Sequence, residues 1–178
     1  MVDLVVLQTV SYLIAALSFA VTCAYYIMNL SNSKKNTQLT LETRQAQLFK
    51  EFLKTQESYE FSKMFQEIFY DWSWSDFDDY MAKYGKSNID ARTKMTVVFG
   101  FFEGLGIMVR RGLINADLVY EFNYNSIIGF WERYSPIVSA LRQSFNSPQF
   151  YEPIEWLYGE MKRLQVAKGH GFDRSALK

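Results

Sequence analysis

Cysteine and histidine are almost missing from this chain: Cys23 and His170 are the only ones among 178 residues. A single cysteine rules out an internal disulfide and gives no sign of an oxidising compartment. One histidine and one cysteine together remove most zinc, haem and His-based catalytic schemes. Net charge is also lacking, with 19 basic and 19 acidic residues. No overall basic field is therefore available to hold nucleic acid. No Walker motif, Ser-His-Asp set, Cys-His pair or paired-acid arrangement can be assembled. The chain is accordingly expected to be non-enzymatic and to need no cofactor or metal.

Charge is missing in a second, local sense. From Leu4 to Leu30 no residue is ionisable as an acid or base of ordinary charge, a run of 27 residues. As a helix this is roughly 40 Å long, enough to cross a hydrocarbon core of about 30 Å with some tilt. A signal peptide fits poorly, because the run is too long, Asp3 stands where a basic residue belongs, and no small-x-small site follows. Lys34, Lys35, Arg44 and Lys50 follow the run and no basic residue precedes it. The positive-inside rule then predicts a single-pass protein of the cell membrane, residues 1–30, with its N-terminus outside and the rest in the cytoplasm.

Within that span Gln8, Ser11, Ala15, Ser18 and Thr22 recur at intervals of three and four, so they share one helix face. Val6, Val10, Leu13, Leu17 and Val21 form the opposite, lipid-compatible face. Small and hydroxyl-bearing residues let helices approach and hydrogen-bond across a contact. Three readings are open: a monomeric anchor that tolerates them, a homo-oligomeric bundle glued along this face, and a channel in which the bundle widens into a water-lined pore with Asp3 at its outer mouth. The bundle is the leading expectation, and the ion channel with a cytosolic gating or assembly ring is its alternative. Expected partners are membrane lipid, further copies of the chain and an unidentified cytosolic protein. Lys34 and Lys35 are placed to meet anionic headgroups, an effect of about 1 kcal/mol each.

The remainder reads as all-α, with no alternating strand pattern and no repeat. Ser31–Gln38 is a polar collar that either breaks the helix or continues it weakly. With the stalk helix that follows, it makes residues 31–57 one region. A helical domain over 58–168 and a loose tail over 169–178 complete the chain. Ser75 and the acids after it mark a helix start and Gly85 its stop. Asn88 to Arg111, closed by Gly112, should be the buried central helix, since Val97 to Val109 is apolar on nearly every side except Glu103. Asn115 caps a short helix through Phe122, and another runs from Ser126 to Ser144, where Pro136 either kinks it or opens a new one. Ser147-Pro148 and Pro153 introduce the last, ending near Lys168.

Two features of this domain invite chemistry. Asp71, Asp76, Asp78 and Asp79 could gather a hard cation, yet they lack the glycine and distal glutamate of an EF-hand, and first-turn acids already suit the helix dipole. Glu103, alone on an apolar helix, needs a partner or a proton, and Arg133 and Arg142 are the candidate partners in a buried polar network. Gly100, Gly104 and Gly106 around it would admit a close helix but do not form a phosphate loop. Trp72, Trp74, Trp131 and Trp156 lack interleaved basic residues and read as core.

The segments Phe102-Glu103-Gly104-Leu105-Gly106, Arg110-Arg111-Gly112-Leu113-Ile114, Trp131 through Ile137 with Arg142, and Tyr151-Glu152 through Trp156-Leu157 resemble a set of prokaryotic proteins. Those pair an N-terminal membrane helix with a helical domain of unknown function, and the resemblance covers roughly residues 5 to 165. It implies the same architecture and no catalytic residues, with Glu103, Arg133 and Arg142 as a helix-locking network.

Overall fold

A computed structural model describes residues 4–169, which form six α-helices, one π-helical turn and no strand. Asp3, His170 and the rest of the tail lie outside the described residues. By internal contacts the chain separates into two units, residues 1–44 and 45–178.

Helix α1 runs from Leu4 to Gln56 without interruption. The polar collar continues the helix, although Asn, Ser and Thr are middling helix formers. Their side chains are turned onto the helix itself: Thr37 donates to the Ser33 carbonyl at 2.9 Å, Thr40 to the Asn36 carbonyl at 2.8 Å, and Gln38 to the Glu42 carboxylate at 3.0 Å. Every described residue before Gln45 is exposed.

The second unit begins inside α1, because Leu48, Phe49 and Phe52 pack against the helical core. Ser58 then caps α2 (Tyr59–Gln66), accepting from the Phe61 amide, and α2 passes directly into a π-helical turn, Glu67–Asp71. Asp76, not Ser75, caps α3 (Phe77–Tyr84), accepting from the Asp79 amide at 2.9 Å, and Gly85 ends it. Asn88 caps α4 (Ile89–Arg110). A Schellman turn closes α4: Gly112 has φ 69°, its amide donates to Val109, and the Leu113 amide donates to Met108. Gln45 donates to the Gly112 carbonyl at 2.7 Å, tying the end of α1 to this turn.

Helix α5 (Ala116–Ser144) joins what the sequence divides in two. It passes through Pro136 in helical conformation, and its one break is Asn123, at φ −149° and ψ 22°. The last helix, α6 (Glu152–Ala167), starts with Pro153 in its first turn, where the missing amide costs nothing.

Packing centres on α4 and α5. Helix α6 lies against both, α2 against α4, and α3 against α5. Helix α4 buries Met95, Val98, Phe99, Phe102, Leu105 and Val109, while Val97 and Ile107 stay partly exposed. One stripe is covered, so α4 is central without being enclosed on all sides. Gly106 is where α6 comes closest, since a Cβ there would sit 2.3 Å from the Pro153 carbonyl oxygen. Phe99, Phe102, Phe130 and Tyr134 form a chain of ring contacts with centroids 4.8 to 5.4 Å apart. Each fully buried ring of this size contributes about 1.5–3 kcal/mol.

Candidate functional site

The N-terminal face built from Gln8, Ser11, Ala15, Ser18 and Thr22 stands on one side of α1, and all five side chains are exposed. Its polar atoms are bonded within the helix. Ser18 donates to the Ile14 carbonyl at 2.8 Å, Thr22 to the Ser18 carbonyl at 2.8 Å, and Ser11 to the Leu7 carbonyl at 3.2 Å. Gln8 donates to the Tyr12 hydroxyl at 3.1 Å. Such back-bonding lowers the cost of holding a hydroxyl in an apolar medium and leaves its oxygen lone pairs free to accept. Lys34 and Lys35 are exposed on the same helix. Asp3, the candidate for an outer mouth, lies outside the described residues.

In the second unit the polar chemistry gathers around the π-helical turn. A π turn shifts the hydrogen-bond register by one residue: the Trp72 amide donates to Glu67, five positions back. One carbonyl in the turn and one just after it are taken by neighbours on α5. Tyr134 donates its hydroxyl to the Ile68 carbonyl at 2.8 Å, and Arg133 donates to the Trp72 carbonyl. The Arg133 guanidinium also lies over Trp74, 4.6 Å from the ring centroid, a cation–π arrangement. Lys94 anchors the other side, bonding both Glu67 oxygens at 2.8 Å and pairing with Asp90 at 2.7 Å. Hydrogen bonds to Asp90, then to Glu67, hold its ammonium pKa above the ordinary lysine range. Trp72 stacks on Tyr84 at 4.0 Å, and burial pushes the hydroxyls of Tyr80 and Tyr134 up, so both remain neutral donors.

Glu103, Arg133 and Arg142 are not brought together. Arg133 and Arg142 are nine residues apart on α5, which puts them half a turn out of phase and on opposite faces. Arg142 instead donates to the Phe150 carbonyl at 2.8 Å and pairs with Glu155 at 2.8 Å, pinning the turn into α6. Glu103 has no hydrogen bond or ion pair among the described residues, and burial raises its carboxyl above the usual range. The Tyr151 hydroxyl is pushed up to about 12, by burial first and by Glu103 second.

The acidic cluster has structural roles. Asp76 caps α3, while Asp79 accepts from the Ser75 amide at 3.0 Å and pairs with Lys83 at 2.8 Å. Among the described residues no three His, Cys, Asp or Glu side chains are grouped as a metal would need. Trp131 and Trp156 face Arg142 and Arg110 on the α5–α6 side. Tyr134, which sequence reasoning passed over as one aromatic among many, is the residue that holds the π turn. Its only signal was adjacency to Arg133.

A family model described as a domain of unknown function (DUF4760) matches residues 7–161. That span takes in most of the apolar segment as well as nearly all of the helical unit. No curated protein and no solved structure matches the chain.

Proposed function

The chain belongs to the DUF4760 family, and we propose that it is a non-enzymatic, single-pass membrane protein that self-associates through one face of α1 and carries a cytoplasmic helical module for assembly or partner binding. The observation behind the membrane reading is the surface of α1. Leu4, Leu7, Leu13, Leu17, Phe19 and Ile27 are each at least 59% exposed on a charge-free run with no buried residue. An apolar patch of that extent is far beyond what a water-soluble monomer presents. A family match that starts at residue 7, inside the segment, favours a retained span over a cleaved leader. The basic residues confined to its C-terminal side support a cytoplasmic helical domain.

Self-association rests on the two unlike faces of the span. In lipid, apolar residues gain little by meeting one another, so small residues that permit close approach decide which face meets a neighbour. The test is oxidative crosslinking in native membranes. In a Cys23→Ala background, Ser18→Cys is expected to give disulfide-linked oligomers and Leu17→Cys to give none. Replacing Ser11 and Ser18 together by Leu should shift the detergent-solubilised protein toward monomer on native mass spectrometry. Equal crosslinking from both cysteine positions would sink the assigned face.

A further inference from the structure

Arg133 carries a positive charge that no carboxylate pairs among the described residues: its guanidinium meets the Trp72 carbonyl, the Trp74 ring and the Tyr134 hydroxyl. Its Nε is buried and has no hydrogen-bond partner among the described residues, and the same holds for Nδ2 of Asn123 at the break in α5. A buried donor left unpaired is costly, and more so where the group is charged. Two such donors on one helix are therefore a feature to be explained.

Both border cavities. Beyond the break at Asn123, Ser126, Gly129 and Arg133 recur at three and four residues along α5, which places them on one face. That face forms one wall of a cleft of about 830 Å³, closed by Phe65 and Phe69 from α2 and the π turn and by Lys162 and Gln165 from α6. Arg133 is among the residues that line the cleft. A smaller chamber of about 180 Å³, lined by Asn123, shares Phe65 and Ser126 with it. Gln165 is 6% exposed, the one buried polar residue of the core, and its amide bonds no other described residue. Lys162 stands 4.0 Å from Glu132, too far for a hydrogen bond.

Two cations and one acid line the cleft. Arg133 and Lys162 are the cations and Glu132 the acid, while the Gln165 amide can donate as well as accept. Phe65, Phe69 and Ile128 supply apolar surface, and Gly129 adds no side chain between them. A cleft of a few hundred Å³ with apolar walls and a few convergent polar groups is the ordinary form of a small-molecule site. We infer that this cleft binds a small water-soluble organic anion, a carboxylate or phosphate joined to a compact apolar body. The anionic group meets Lys162 and Arg133, and the body lies along Phe65 and Phe69. The site lies wholly within residues 45–178 and does not depend on how α1 associates.

Calorimetric titration of the full chain in a non-ionic detergent tests this, with heats into empty micelles subtracted. The probes are phenyl phosphate, phenol and inorganic phosphate. Phenyl phosphate should bind saturably and at least about tenfold more tightly than either fragment, and Lys162→Glu should weaken it about tenfold. Arg133→Gln should weaken it further, with circular dichroism melts showing whether that variant folds. If it does not fold, Lys162→Glu decides, since that side chain is 43% exposed. Unsaturable heats, equal binding of phosphate alone, or an unchanged affinity in Lys162→Glu would overturn the assignment. So would displacement of phenyl phosphate by dioctanoyl phosphatidic acid at a lower concentration, which would make the ligand a lipid.

Discussion

At the scale of single residues, most ionisable groups in this chain are placed by structure. Asp76 caps, Asp79 pairs, Lys94 braces the π turn and Arg142 pins a loop. Glu103 departs from that pattern, because it sits half-buried with no cation beside it and a raised carboxyl pKa caused by burial alone. The fold thus holds the Glu103 proton more tightly than the unfolded chain does. Stability must fall as pH rises from the ordinary glutamate range through the raised one, and the full penalty is present above it. Glu103→Gln removes that penalty. The variant should melt higher than the parent at about pH 7 and together with it below about pH 4, where both states are protonated. Thermal melts by circular dichroism at the two pH values check this, and a lower melting point for the variant at pH 7 would mean that Glu103 makes a favourable charged contact.

At the scale of elements, the boundaries that carry a local chemical mark were legible in the sequence. Asn88 caps α4, Gly85 ends α3, Gly112 turns the chain after α4 with a positive φ, and Pro153 opens α6. What was not legible depends on partners distant in sequence. The π turn at Glu67–Asp71 has no composition of its own, and its carbonyl at Ile68 and the Trp72 carbonyl just after it are met by Tyr134 and Arg133. The break at Asn123 looks like the end of a helix, yet α5 resumes after a single residue. The collar at residues 31–38 could be read as a break or as weak helix, because Ser, Thr and Asn side chains compete for backbone bonds; it is helix, and Thr37 and, just beyond it, Thr40 bond back onto it. Arg133 and Arg142 were expected to join Glu103 in one polar network, but half a turn of helical phase on α5 keeps the two arginines from sharing a carboxylate. Contact between elements gives the sharpest test of the packing. At Gly106 an alanine methyl would meet the Pro153 carbonyl, which is backbone and cannot rotate away. Gly106→Ala should therefore destabilise the helical unit by about 1–3 kcal/mol in chemical denaturation, while Gly100→Ala, with nothing within 4 Å, should not.

At the scale of the molecule, two units with opposite surfaces are written into one chain. Residues 4–30 expose large aliphatic and aromatic side chains along a helix that satisfies its own hydroxyls, as a lipid environment requires. Residues 45–169 bury theirs in one aromatic core whose surface carries ion pairs such as Arg110–Glu152 and Lys168–Asp117. The apolar run was plain from the sequence because length and absence of charge suffice to mark it. The cleft between the π turn, α5 and α6 could not be read there, since Asn123, Ser126, Arg133, Lys162 and Gln165 meet only once those helices pack. The central claim is that α1 is a retained membrane span. Its most direct test is the intact mass of the protein recovered from membranes after alkaline carbonate washing. The account predicts that the protein in the washed membrane pellet still contains residues 4–30. Recovery in the soluble fraction, or a mass shortened by cleavage within or just after residues 4–30, would contradict it.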